Sequence, residues 1–223
     1  MGFSWIRAVT AATLLALAPG AAFAGALFDA TSPDTDLHAF PFWQAVLADT
    51  PRDGACNDMR HCAPKSWTDF LATARKLDAP ARLDAVNRWV NSHPHVEDAA
   101  NWGVPDYWET PGEFIARGGD CEDFAVAKYF SLIRLGFAQR DLRIVVVSDT
   151  GSFHAVVAVH TGDNTLVLDD QVADVTSLKA QPRYVPVYSL GEQGWWLHSA
   201  PVIHAKGGTL VAASESPRAI ATN

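Results

Sequence analysis

The sequence predicts an α+β domain, with helices in its first half and an antiparallel sheet in its second half. Apolar residues keep helical spacing up to about residue 135, and alternation with a period of two begins near residue 142. No strand–helix–strand units alternate along the chain, as a parallel sheet would need. At 223 residues and 48% hydrophobic content, the chain is long enough to bury one full core.

The N-terminus has the order of a secretory signal. Arg7 precedes an apolar stretch over residues 8–18, and the small-residue pattern Ala22-Phe23-Ala24 follows it. The alternative, an uncleaved membrane anchor, is disfavoured because the stretch is too short to span a bilayer. The predicted division is a cleaved signal peptide at residues 1–24, one domain at 25–203 and a flexible tail at 204–223.

Two helices are predicted before residue 95. Ser66, with Asp69 three residues later, predicts a helix cap before the apolar positions of residues 70–77. A second helix is predicted over about 80–91. It ends before Pro94, because the residue that precedes a proline disfavours the helical conformation.

The most regular helix is predicted over residues 121–135. The Gly-Gly-Asp turn at 118–120 supplies a capping acid, and Gly136 ends the helix. Residues 102–111 are dense in Trp, Tyr, Gly and Pro, which predicts an ordered aromatic loop before this helix.

Four strands are predicted after the last helix, over residues 142–148, 153–160, 165–169 and about 184–188. Turn signals separate the first three strands, so these strands are expected to form an antiparallel meander. The formal charge of -8, with no cluster of Lys and Arg, excludes a nucleic acid held by phosphate contacts.

Export makes disulfides possible, and the chain has three cysteines. Cys56 and Cys62 lie close together in a polar region and are predicted to pair. The alternatives are two free thiols or a zinc site with His61, which is weak because no second pair of ligands has metal spacing. Cys121 is left as a single thiol.

Cys121 is the candidate nucleophile. It follows the predicted cap of its helix, where free backbone N–H groups favour a thiolate and can bind an oxyanion. The alternative is a buried structural cysteine. It is disfavoured because the glycine turn and the acidic first turn predict an exposed helix end.

His154 and Asp169 are the candidate base and its orienting acid. A two-residue turn at Gly162-Asp163 would pair residues whose numbers sum to 325, which places His154 opposite Gln171. Asp169 is then the diagonal neighbour of His154 on the same face of the sheet. A shift of one residue would move Asp169 to the other face.

Three acids flank the candidate nucleophile, namely Asp120, Glu122 and Asp123. Like charges beside a thiolate raise its pKa, so their charge needs compensation. One interpretation is that the positive end of the helix provides it. The other is a bound calcium ion, since hard cations prefer carboxylate oxygens.

Longer motifs surround these residues: Trp102-Gly103-Val104-Pro105-Asp106-Tyr107-Trp108, Gly119-Asp120-Cys121-Glu122-Asp123-Phe124-Ala125, Ala127-Lys128-Tyr129-Phe130, His154-Ala155, Leu166-Val167-Leu168-Asp169 and Pro186-Val187-Tyr188-Ser189. In these motifs, over about residues 37–190, the chain resembles the bacterial transglutaminase-like cysteine proteinases and, among them, the periplasmic LapG-type proteases. The Gly-Asp-Cys-Glu-Asp run with the aromatic loop before it is the specific part.

The resemblance implies a papain-like, transglutaminase-like fold and a periplasmic cysteine peptidase with Cys121, His154 and Asp169 as its triad. It implies cleavage of a large surface adhesin that controls biofilm attachment, and dependence on calcium bound by the flanking acids. It also implies control by an inner-membrane receptor for a cyclic dinucleotide. Asp170 stands where the family commonly has Asn, and strand parity favours Asp169 over Asp170 as the orienting acid.

Two other functions fit the same residues. The triad would also serve a transglutaminase, or an amidase acting on exported protein or cell-wall peptide, because water and an amine attack the same thioester. A catalytically inactive binding module would keep the fold without the chemistry. It is disfavoured because all three roles are filled.

Overall fold

The structure is a computed structural model that describes residues 27–28, 32–50, 63–162, 164–198, 202–203 and 211–212. Its helices are α1 (Pro41–Asp49), α2 (Lys65–Ala74), α3 (Ala79–Val90), α4 (Asp98–Asn101), α5 (Pro111–Arg117) and α6 (Cys121–Arg134). Its strands are β1 (Leu142–Asp149), β2 (Ser152–His160), β3 (Thr165–Leu168), β4 (Thr176–Ser177), β5 (Tyr184–Gly191), β6 (Gly194–Leu197), β7 (Val202–Ile203) and β8 (Val211–Ala212). Helices precede strands, so the predicted α+β class is confirmed.

The main sheet has six antiparallel strands in the order β4-β3-β2-β1-β5-β6. The predicted meander is its centre, and β5 adds beside β1. Val157 pairs with Leu168 and His160 with Thr165, so the residue numbers sum to 325 as predicted. This register positions the candidate base and acid.

The hydrophobic core lies between the helices and one face of the sheet. Side chains alternate along β2 as in a strand that is covered on both faces. Ala155 and Val157 belong to the main core, whereas Val156 and Ala158 belong to a smaller cluster on the other face. Leu27 is buried in that smaller cluster.

Helix α6 begins at Cys121 and ends at Arg134, close to its predicted bounds. Asp120 and Asp123 form a capping box at its start. Gly118 has φ of 79°, and a Cβ there would collide with the Pro94 carbonyl. The glycine turn is therefore required by close packing as well as by its conformation.

The predicted cap at Ser66 is wrong. Helix α2 begins at Lys65, and its N-cap Pro64 has no side-chain cap hydrogen bond. Asp69 instead accepts hydrogen bonds from the Lys65 ammonium one turn earlier, at 2.6 and 2.8 Å. The Asp69 carboxylate, which was predicted to take part in the cap, forms this i,i+4 ion pair instead.

Several predictions fall wholly or partly outside the described residues and stay predictions. These are the signal peptide at 1–24, the pairing of Cys56 with Cys62, and most of the tail at 204–223. Within that tail, β8 pairs with β7. In the part of the chain that the structure describes, no helix combines the length and apolar character needed to cross a bilayer.

Candidate active site

Cys121 is the first residue of α6, and it is partly buried against the main core. The thiol donates a hydrogen bond of 3.1 Å to Glu122 Oε2 and lies beside the backbone N–H of Ala155. Burial, and then the Glu122 carboxylate, raise the pKa of Cys121, while the Ala155 N–H opposes them. The structure thus favours the thiol, whereas the helix end alone predicted a thiolate at an exposed position.

His154 and Asp169 meet as the strand register predicts. His154 Nε2 is 2.9 Å from Asp169 Oδ1, and the two residues are 5% and 2% exposed. Gln171 Nε2 lies 3.4 Å from His154 Nδ1. Among the described residues, the thiol hydrogen bonds to Glu122 and not to the His154 ring. The backbone N–H beside the sulfur nevertheless belongs to Ala155, which follows His154 in β2.

Three donors converge on the Asp169 carboxylate. Oδ1 accepts from His154 Nε2 and from the backbone N–H of Gln171 at 2.9 Å each, and Oδ2 accepts from the Tyr184 hydroxyl at 2.5 Å. Burial favours protonation, but these hydrogen bonds outweigh it and bring the pKa of Asp169 to about 2. Asp169 is therefore ionised at neutral pH.

Asp170 is a second carboxylate near the same ring nitrogen. Its Oδ1 is 3.4 Å from His154 Nε2 and is buried without a hydrogen-bond donor from the described part of the chain. Lys128 of α6 is 1% exposed, and its charge interacts with Asp170 and Asp169. Burial lowers the pKa of Lys128 to about 7, although both carboxylates oppose that shift. The distances favour Asp169 as the partner of His154.

Five carboxylates crowd the space beside Cys121, here called the acidic cluster: Asp98, Asp106, Asp120, Glu122 and Asp123. Oxygens of Asp98, Asp106 and Glu122 lie within 4.8 Å of one another, and so do oxygens of Asp98, Asp120 and Asp123. Sequence reasoning found the last three residues of the cluster by their adjacency to the cysteine. It missed Asp98 and Asp106, which come from α4 and the aromatic loop and share no local spacing with α6.

Asp123 also fixes the loop that precedes α6. Its Oδ1 accepts from the Glu109 N–H at 2.7 Å, and its Oδ2 accepts from the Asp120 N–H at 3.1 Å. A Cβ at position 119 would collide with this carboxylate, so Gly119 is needed there. Asp123 thus anchors the aromatic loop to the start of α6, with lone pairs left for a cation.

The chain is similar to known bacterial proteinases. A family model described as bacterial transglutaminase-like cysteine proteinase matches residues 54–201. This range is well over half of the chain and includes Cys121, His154 and Asp169. The chain belongs to this family. It is therefore a cysteine peptidase, its substrate is a protein, and the resemblance noted in the sequence is confirmed.

Solved structures of Legionella pneumophila LapG are similar to this proteinase. One is 27% identical, with 75% of this chain and 90% of the LapG chain covered and a TM-score of 0.54. A calcium-bound form is also 27% identical, with coverage of 71% and 87% and a TM-score of 0.54. An EGTA-treated form, at 24% identity and a TM-score of 0.53, supports the fold. No curated protein sequence matches the chain.

The acidic cluster of the proteinase has the donor chemistry of a hard-cation site. Oδ1 of Asp98 and Oδ1 of Asp120 are buried without a hydrogen-bond donor among the described residues. Buried carboxylates that face one another need a proton or a cation to offset their repulsion. The cluster therefore fits an ion such as calcium, which prefers carboxylate oxygens.

The cluster predicts that the stability of the metal-free proteinase depends on pH. Burial first, then neighbouring charges, raises the pKa of Asp98 and of Asp106 to about 6, and that of Glu109 and of Asp120 to about 8. These four carboxyl groups thus bind more protons in the folded chain than in the unfolded chain between about pH 4 and pH 8, so the stability that they contribute falls as pH rises through that window. His198 and Lys128, whose pKa values burial lowers, oppose this trend in part.

We expect Tm in the presence of EGTA to be lower at pH 8 than at pH 5, and Asp120→Asn to reduce the difference. Differential scanning fluorimetry across this range measures both values. Asp169 has a pKa of about 2, so its own contribution to stability changes with pH only below this range. A metal-free Tm that rises steadily from pH 5 to pH 8 would contradict the expected crowding of charge.

Proposed function

We propose that this proteinase is a periplasmic, calcium-dependent endopeptidase with a Cys121, His154, Asp169 triad, and that it cleaves a large cell-surface adhesin to control biofilm attachment. The observation that carries the proposal is the 2.9 Å contact of His154 Nε2 with Asp169 Oδ1, in a register that puts Ala155 beside the Cys121 sulfur. An inner-membrane receptor for a cyclic dinucleotide is proposed as its regulator.

In the proposed mechanism, the hydrogen bond to Asp169 holds the Nε2 proton of His154. Nδ1 is then the nitrogen that takes the proton from Cys121 and later gives it to the leaving amine. The sulfur attacks the carbonyl carbon of the scissile peptide bond and forms a thioester, which water hydrolyses. Backbone N–H groups at the start of α6 stabilise the oxyanion.

The acidic cluster would hold the calcium ion, which when bound supplies positive charge beside the thiol. In the structure, Glu122 accepts the thiol hydrogen bond and raises the pKa of Cys121, second to burial. The carboxylate of Glu122 therefore links the cluster directly to the candidate nucleophile. The proposal for calcium rests on this link and on the unpaired buried oxygens of Asp98 and Asp120.

Removal of calcium should lower the rate of peptide cleavage by at least about tenfold, a loss that calcium restores and magnesium does not, because magnesium demands stricter geometry. The measurement is cleavage of a protein substrate with EGTA, followed by titration of each ion. Asp98→Asn should raise the calcium concentration needed for half-maximal cleavage, whereas Asp69→Asn, at an exposed position of α2, should not. Equal activity with and without EGTA would remove calcium from the proposal.

The proposed substrate class is tested in cells. Surface proteins are compared between cells that carry the intact chain and cells that carry Cys121→Ala. A large surface protein should be lost only with the intact chain, and the released fragment should show a new terminus by mass spectrometry. Incorporation of an amine donor into glutamine residues, without a new terminus, would instead favour a transglutaminase.

A further inference from the structure

The hydroxyl of Tyr184 holds the Asp169 oxygen that His154 leaves free. It donates to Asp169 Oδ2 at 2.5 Å, and the tyrosine is 3% exposed at the start of β5. Its ring packs against the His154 ring, with 5.9 Å between centroids. The sequence identified Tyr184 only as the beginning of a strand.

The backbone of Asp169 is fixed separately, by α3. Asn87 is fully buried, and its Oδ1 accepts from the Asp169 N–H at 3.1 Å. Asn91, one turn later, donates from Nδ2 to the Asp169 carbonyl at 2.8 Å. These two bonds set the main chain, but they leave the rotation of the carboxylate to its own partners.

Two carboxylates compete for one ring nitrogen at this point. Asp170 Oδ1 is 3.4 Å from His154 Nε2, against 2.9 Å for Asp169 Oδ1. No residue that the structure describes donates a hydrogen bond to Asp170 Oδ1, whereas Asp169 has a donor on each oxygen. A carboxylate held at both ends keeps one orientation, and a carboxylate held at one end can rotate.

We propose that Tyr184 is a positioning residue that fixes the rotation of the Asp169 carboxylate and so selects Asp169 over Asp170 as the partner of His154. This inference rests on the proposed triad. The hydroxyl of Tyr184 bonds to Asp169 and not to the sulfur or the imidazole, so it acts through Asp169. Its hydroxyl belongs to β5, so the geometry of the dyad depends on the pairing of β5 with β1, where Tyr184 faces Asp149.

Tyr184→Phe tests the proposal, because it removes the hydroxyl and keeps the ring. We expect kcat to fall by roughly 10- to 100-fold with KM little changed, since a hydrogen bond to a charged group is lost. The acid limb of the kcat profile should move to higher pH, because Asp169 loses a donor that keeps its pKa low. Lys128, Asp170 and His154 also face Asp169, and they are unchanged in this variant.

Tyr129→Phe is the matched control. Tyr129 is also buried, and its hydroxyl accepts from the Glu192 N–H at 3.2 Å, away from the dyad. Tyr129→Phe should lose about as much stability as Tyr184→Phe and should keep the pH profile of kcat that the wild type has. A second measurement, ¹⁵N NMR of the histidine rings in a Cys121→Ala background, should show faster exchange of the His154 Nε2 proton once Tyr184→Phe is added.

The outcomes separate the two proposals. A wild-type kcat, pH profile and ring spectrum in Tyr184→Phe would overturn the positioning role, while an inactive Cys121→Ala would still support the triad. An active Cys121→Ala would overturn the triad. Because the ring spectrum needs no turnover, it would still report whether Tyr184 orients Asp169 against His154.

Discussion

Replacing Cys121 with alanine should abolish cleavage of the protein substrate and leave the fold intact. The sulfur is the atom that forms the thioester in the proposed mechanism, so its loss should reduce kcat by about 10⁴-fold or more. The removed group is one atom at the end of a helix, where the Asp120–Asp123 capping box remains. We expect a change in unfolding free energy of about 1 kcal/mol or less.

The experiment compares the cleavage rate and the thermal unfolding of Cys121→Ala with those of the wild type. Cys121→Ser is a matched control for shape, since a hydroxyl can still donate to Glu122 but is a weaker nucleophile beside the same base. It should unfold like the wild type and cleave far more slowly. Full cleavage by Cys121→Ala would end the assignment of Cys121 as nucleophile.

The sequence was sufficient for the parts of the site that depend on local signals. The connection between β2 and β3 is short enough to set their pairing, and this pairing places Asp169 near His154. Glycines before Cys121 and Gly136 after it predicted α6, because both ends carry residues that helices use as caps. These predictions succeeded because each depended on neighbours in the chain.

The remaining parts of the site depend on contacts between distant segments. Asp98 and Asp106 reach the acidic cluster from outside α6, and Asn87 and Tyr184 reach Asp169 from α3 and β5. No period or spacing in the sequence connects them. The capping box of α5, Thr110 with Glu113, was readable as a local motif, and the sequence reading missed it.

The state of the Cys121 sulfur shows how packing can override a local rule. A helix N-terminus favours a thiolate, and the position of this helix end was predictable from the sequence alone. In the folded chain, burial and the Glu122 carboxylate raise the pKa of Cys121 instead. Burial and the nearby carboxylate are both properties of the assembled site. The Glu122 carboxylate also connects the nucleophile to any cation that the acidic cluster binds.

Asp169→Asn should lower kcat by about 10³-fold or more, and Asp170→Asn by less than about tenfold. An asparagine at 169 has no charge to stabilise the His154 imidazolium, and one end of its amide is a donor. It therefore cannot accept from His154, Gln171 and Tyr184 together as the carboxylate does. Asp170 Oδ1 approaches His154 Nε2 less closely, at 3.4 Å, and Asp170 Oδ2 lies 4.0 Å from His95 Nε2.

The two variants control for each other, because they make the same isosteric change at adjacent residues near one imidazole. Asp170→Asn also removes a carboxylate that faces Lys128, and a lysine whose pKa is already near 7 can adapt by losing its proton. Steady-state cleavage at pH 7, with Tm measured in parallel, separates catalytic loss from unfolding. If Asp170→Asn were the more damaging change, the dyad would have to be reassigned to Asp170, and the proposed role of Tyr184 would fall with it.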